Sequence, residues 1–270
     1  MESSIAFIGG GNMASAIIGG LRRAGWAADA LIVLEPNAAQ RQHLQDEHGL
    51  APLAAADARL AQADLVVWAV KPQLFAEAAA PCAPFIGQAL QLSVMAGVRI
   101  DAIAQASGAT RVARAMPNTP ALIGAGIAGL YAGSDVDAAG RALVEQVLAP
   151  TGRLIWVERE ADLDAVTALS GSGPAYFFYL VEAMVAAGVQ MGLPEAQARE
   201  LAFATCAGAA AQGLACADAP ALLRERVTSK GGTTHAAITS LEQAGVGEAM
   251  RAAVLAAQHR ARELGDEFGS

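Results

Sequence analysis

The chain has 270 residues (27.4 kDa), 54% apolar and 16% charged, which excludes a disordered, charge-rich polymer and leaves room for one large domain or two modest ones. Eighteen Lys and Arg stand against 26 Asp and Glu, and the net charge of −8 offers no basic footprint for nucleic acid. Three cysteines and four histidines, scattered without ligand spacing, predict neither a disulfide scaffold nor a metal site.

At the N-terminus Glu2 stands where a signal peptide carries a basic region, so a cytoplasmic protein is expected. Short apolar runs follow at 5–9, 31–35, 65–70, 90–96, 110–116 and 126–132, with a last one at 153–158, separated by Ala-rich helical stretches. That alternation predicts βαβ units and a mainly parallel sheet covered on both faces. After Glu158 the strand signal disappears. Helices are predicted at 160–169, 174–191, 194–213, 219–227, 233–244 and 247–268, with Pro174 and Pro194 in first turns, where a missing N–H costs nothing. The expected architecture is a Rossmann-like doubly wound domain over 1–157 and an all-helical domain over 158–270. The apolar stretch 174–193 is interrupted by Glu182, Gln190 and two glycines, so it is expected as a buried helix that leaves the membrane alone. Its aromatic and aliphatic side chains cover more than one helix face, which predicts a homodimer.

Directly after the first strand, Gly9, Gly11 and Ala14 satisfy G-x-G-x-x-A as the chain enters a helix. Gly9 permits the tight turn, Gly11 lets the backbone approach a pyrophosphate, and Ala14 lets helix pack on strand. The helix N-terminus at Asn12, Met13 and Ala14 presents free N–H groups to phosphates. Glu35, at the end of the second strand, is placed to accept from ribose hydroxyls, which favours NADH; Arg41 on the following helix is the one residue able to favour NADPH. The strand end Ala69-Val70-Lys71-Pro72, the Ala96-Gly97 turn and Asn118 in the 116–120 loop are expected to border the cofactor, because open α/β sheets bind at the carboxyl ends of their strands. A second glycine motif, VTSKGGTTHAAI at 227–238, opens a helix with converging N–H groups and hydroxyls, a nest for a small carboxylate.

Taken in order, IAFIGGGNMASAI, AVKPQ, RAMPNTPALIGAG, ALSGSGPAY and VTSKGGTTHAAI resemble pyrroline-5-carboxylate reductase across essentially the whole chain. The resemblance implies reduction of 1-pyrroline-5-carboxylate to L-proline with NADPH or NADH, by a dimer that in this family often assembles into a decamer. It implies that Ser229, Gly231, Gly232 and Thr233 hold the substrate carboxylate, that Thr234 hydrogen-bonds the ring nitrogen, and that Glu160 faces the substrate. Glu35 and Ala56 depart from the small hydroxyl or amide side chains of NADPH-preferring members. Imine reduction needs a hydride donor and a hydrogen bond to nitrogen, not a strong base, and no His-Asp pair accompanies these motifs. Two alternatives share the nucleotide-binding motif. A β-hydroxyacid dehydrogenase needs a lysine in the helical domain, and none lies between Lys71 and Lys230. A dinucleotide sensor without catalysis would have no use for the intact glycine-threonine loop.

Overall fold

A computed structural model describes residues 3–268. Seven strands form one sheet in the order β2-β1-β3-β4-β5-β6-β7: β1 (Ile5–Ile8), β2 (Leu31–Leu34), β3 (Leu65–Trp68), β4 (Leu90–Ser93), β5 (Val112–Met116), β6 (Gly126–Ala132) and β7 (Gly152–Trp156). The first five are mutually parallel, β6 runs antiparallel to β5, and β7 is parallel to β6. Strands β1, β3 and β4 are buried throughout because both sheet faces are covered, and β1 and β3 are wholly apolar. Phe7, Val67 and Leu92 pack to one side with Ile17, Ile18 and Leu21, whereas Ile8, Val66 and Trp68 pack to the other with Phe75, Ile86 and Ile103. Two buried polar side chains of β4 intrude there and both are satisfied: Gln91 Oε1 accepts from Trp68 Nε1 (2.9 Å) and its Nε2 donates to the carbonyls of Ile86 and Ala89, while Ser93 Oγ accepts from Met95 N–H (3.2 Å).

Helices α1 (Asn12–Arg23), α2 (Ala38–His48), α3 (Phe75–Ala79), α4 (Ala83–Ile86), α5 (Ile100–Ser107) and α6 (Ala138–Leu148) connect these strands. Chain order reverses between β1 and β3, so their carboxyl ends flank the crevice where such sheets take ligands.

Beyond β7 the chain is helical. A short α7 (Asp162–Val166) runs into a π turn (Thr167–Gly171), followed by α8 (Gly173–Gln190), α9 (Glu195–Leu214), α10 (Pro220–Arg226), α11 (Thr233–Gln243) and α12 (Val246–Phe268). The chain forms two compact units. One runs to Ser172 and takes up the chain again from Ala257; the other is Gly173–Ala256. The units therefore part beyond the 157/158 boundary read from the loss of strands, because charge pairs hold α7 to the sheet unit. Asp164 pairs with Arg99 (2.9 Å) and Glu160 with Arg114 (2.8 Å). Gly265 of α12 has no side chain because the Arg99 guanidinium lies across it.

In the second unit α8 packs on α9, where a side chain at Gly188 would come within 2.8 Å of Ala198 Cβ. Phe178 meets Phe203 edge to face at 6.4 Å. The expectation of a buried α8 is corrected. Among its side chains Val181 is buried, whereas Phe177, Phe178 and Met184 are exposed in the single chain and Tyr179 is 74% exposed. The run Asp162–Gln190 is long and apolar enough to cross a membrane by length and composition, with 17% of its most apolar window buried. A helix this apolar and this uncovered needs a second surface.

Candidate active site

In the sheet unit the glycine loop closes the carboxyl end of β1. Gly9 takes φ +95°, and its N–H donates to the Leu34 carbonyl (2.8 Å). A Cβ there would meet the Ala69 carbonyl oxygen at 2.8 Å and Val70 at 2.9 Å, so only glycine lets β1 pass the end of β3. Around the Cβ position of Gly11 nothing lies within 4 Å, and no side chain caps the first turn of α1. The N–H groups of Asn12, Met13 and Ala14 thus open on space that a pyrophosphate fills without collision, which is the fit a dinucleotide requires. Buried Ala14 seats the helix on the sheet.

Glu35 lies beside this loop. Its Oε2 accepts from Gly10 N–H and its Oε1 from Asn37 N–H, both at 2.8 Å, so the carboxylate is anchored at the end of β2. Two residues of α2 hold the same corner. Gln40 Nε2 donates to the Gly10 carbonyl (2.6 Å), and Arg41 Nη1 to the carbonyls of Glu35 (2.9 Å) and Pro36 (2.7 Å). Gln40 escaped the sequence reading because its role is to a carbonyl brought near only by folding. Next to the loop, Leu34, Pro36, Ala54, Ala56, Val70 and Leu74 are among the residues lining a mostly apolar hollow of about 400 Å³.

The other predicted cofactor neighbours sit at the carboxyl ends of their strands. Ala69, Val70 and Pro72 are half-buried after β3, and Lys71 is exposed. Ala96 and Gly97 follow β4, where Gly97 takes φ +79° and a side chain would collide with the Leu264 backbone at 3.0 Å. Asn118 follows β5 with both ends of its amide engaged: Oδ1 accepts from Ile127 N–H (3.0 Å) and Nδ2 donates to the Ser170 carbonyl (3.1 Å).

Glu160 does not have the free carboxylate that a substrate-facing role implies. Its Oε1 accepts from Ile100 N–H at the start of α5 and from Arg114 Nη1, each at 2.8 Å. Arg114 is 5% exposed, and burial pulls its guanidinium below the ordinary value while Glu160 opposes that fall. A buried cation without its partner is costly, so Glu160 is committed to the fold.

In the helical unit, the glycine-threonine loop joins α10 to α11. Gly231 takes φ +77°, Gly232 N–H donates to the Ser229 carbonyl (3.0 Å), and Gly232 is the N-cap residue of α11. A Cβ on Gly232 would meet Ser229 Oγ at 2.8 Å. No side chain caps α11, although Thr233 and Thr234 occupy its first turn. The turn therefore offers N–H groups and the nearby hydroxyls of Ser229, Thr233 and Thr234 to an anion. Among the described residues no group of three or more His, Cys, Asp or Glu side chains could hold a metal ion.

Comparison with known proteins places the chain in one family. A family model described as pyrroline-5-carboxylate reductase dimerisation matches residues 160–264, and one described as NADP oxidoreductase coenzyme F420-dependent matches 4–97. A pyrroline-5-carboxylate reductase of Pseudomonas aeruginosa is 42% identical over 267 residues, covering 98% of both chains. Among solved structures, a pyrroline-5-carboxylate reductase from Coxiella burnetii is 37% identical with a TM-score of 0.88, covering 97% of this chain and 98% of that one. The Plasmodium falciparum pyrroline carboxylate reductase with NADP bound is 25% identical, with a TM-score of 0.88 and 98% coverage of each chain.

Proposed function

The chain belongs to the pyrroline-5-carboxylate reductases and reduces 1-pyrroline-5-carboxylate to L-proline with NAD(P)H as a dimer, and from that premise we propose which of its residues carry the reaction. The nicotinamide, when bound, supplies the hydride for the imine carbon. Gly9 and Gly11 admit the pyrophosphate, and the N–H groups of Asn12, Met13 and Ala14 neutralise it. The hollow lined by Ala54, Ala56 and Val70 takes the adenine, while Glu35 accepts from the adenosine ribose. Ala69, Val70, Lys71, Pro72, Ala96, Gly97 and Asn118 border the rest of the dinucleotide along the strand ends.

The observation that carries the substrate assignment is the uncapped first turn of α11 behind a left-handed Gly231. Ser229, Gly231, Gly232 and Thr233 bind the carboxylate there. Thr234 hydrogen-bonds the ring nitrogen, donating to a neutral imine or accepting from the iminium N–H. A hydroxyl orients the ring without acting as a strong acid or base, which suffices where hydride transfer is the chemical step.

NADH is used at least comparably to NADPH. Both Glu35 oxygens are tied to backbone N–H groups, so the charge stays at the ribose corner and opposes an added phosphate. Arg41 is anchored to the same corner through two carbonyls, with donors left over, and moderates that opposition. Measuring kcat/KM for both nucleotides tests this reading; a ratio within about tenfold supports it, and an NADPH preference of several orders of magnitude overturns it. We further propose a cytoplasmic protein; the net charge of −8 argues against nucleic-acid partners, and the family resemblance supports further association of dimers into a decamer.

A further inference from the structure

Two segments of the sheet unit meet without any hydrophobic or ionic reason evident in the sequence: the 116–120 loop after β5 and the π turn Thr167–Gly171. They touch at two points. The Met116 side chain lies where a Cβ on Gly171 would come within 2.7 Å of its Cε, and Asn118 Nδ2 donates to the Ser170 carbonyl. That carbonyl is special for a covalent reason. Within the turn the pairing runs five residues on, as in Ser172 N–H to Thr167 O (2.8 Å); the tighter α-helical pairing of the Ser170 carbonyl, with residue 174, is closed to it because Pro174 has no N–H. The hydroxyls of the turn do not tie it to the sheet, because Thr167 Oγ1 donates back to Leu163 O and Ser170 Oγ to Val166 O. The charge pairs Arg99–Asp164 and Arg114–Glu160 hold the preceding helix, α7. Asn118 reaches one turn further, and its Oδ1 is meanwhile pinned by Ile127 N–H. π turns interrupt helices at functional sites more often than chance allows.

We propose that Asn118 is a positioning residue for hydride transfer: by donating to the Ser170 carbonyl it fixes the π turn to the loop after β5, which on the reading above borders the nicotinamide. The inference rests on the reductase reading above. Asn118 acts through Ser170 and touches no reacting atom in this role. It spends its amide on the protein, so its loss changes how often reactants reach the productive distance more than how tightly the dinucleotide binds.

Full-length wild type, Asn118→Asp, Pro174→Ala and the double variant test this. Asn118→Asp keeps the acceptor for Ile127 N–H and replaces the donor to Ser170 with a carboxylate oxygen that the Ser170 carbonyl repels. It should lower kcat by about 10- to 100-fold, a clearly larger factor than any rise in the dinucleotide dissociation constant read by fluorescence titration without substrate. The primary deuterium isotope effect on kcat should rise as the hydride step becomes limiting, and amides of 167–172 should exchange faster with deuterated solvent. Pro174→Ala supplies an N–H at position 174 and opens the α-helical pairing to the Ser170 carbonyl, so the Asn118→Asp effect should shrink at least about threefold in that background. Unchanged kcat and isotope effect in Asn118→Asp, a parallel loss of dinucleotide affinity, or strict additivity in the double variant overturns the proposal. Wild-type protein that fails to oxidise NAD(P)H with pyrroline-5-carboxylate would instead remove the reductase reading itself.

Discussion

Thr234 is the single side chain assigned to the reacting nitrogen, and its position at the start of α11 makes its contribution separable from nucleotide binding. Removing one such hydrogen bond forfeits roughly 1–3 kcal/mol of transition-state stabilisation. Thr234→Ala should therefore lower kcat about 10- to 100-fold while the dinucleotide dissociation constant holds. Steady-state kinetics beside a nucleotide titration checks it; unchanged turnover would remove Thr234 from the site. At the opposite end of the cofactor, Glu35→Ser removes the charge that faces the ribose and should raise the NADPH/NADH ratio of kcat/KM by about tenfold or more. Arg41→Ala should move the ratio the other way. The positions of these residues were legible because their signals are local, a glycine turn before a helix or a carboxylate at a strand end. The structural partners of Glu160 were not legible for the complementary reason: Arg114 and the Ile100 N–H are 46 and 60 residues away in the chain, and nothing in its neighbourhood announces them.

Among elements, α7 shows how charge decides a boundary that apolar patterning leaves open. The last strand signal ends at 158, yet Glu160 and Asp164 bind α7 to arginines of the sheet unit. Glu160→Ala leaves Arg114 buried and unpaired, with its Nε already without a partner, and should cost about 3–5 kcal/mol in urea unfolding. At temperatures where that variant stays folded, KM for pyrroline-5-carboxylate should remain near the wild-type value; a large rise would restore a substrate contact. Helix α2 ends in a second buried polar group. The His48 side chain is 8% exposed, Nε2 has no hydrogen-bond partner, and burial holds its pKa below the ordinary 6.5. The unfolded chain therefore binds the proton first as pH falls below 6.5, and stability declines from there until the folded pKa is passed. His48→Gln should flatten that part of the acid limb in a plot of Tm against pH; an unaltered limb would mean that other groups set it. Most elements were expected within a few residues, since period and punctuation mark them, but the π turn was not, because it arises from how the chain leaves α7.

For the whole molecule, the separation into a dinucleotide unit and a helical unit follows from hydrophobic period, two residues per repeat giving way to 3.6. What the chain does with its exposed α8 is less local: Phe177, Phe178 and Tyr179 face solvent in one copy, and the family-wide dimerisation region spans them. The sequence reading expected both burial and a partner, and only the partner can supply the burial. The functional claim draws on both units: a glycine loop for a dinucleotide on one, a glycine-threonine loop for a cyclic imino acid on the other. Following absorbance at 340 nm with NADH and with NADPH in parallel, with and without pyrroline-5-carboxylate, tests that claim most directly. The account predicts oxidation of both nucleotides that depends on the imine, at rates within about tenfold of each other. Nucleotide binding with no imine-dependent oxidation of either would contradict it.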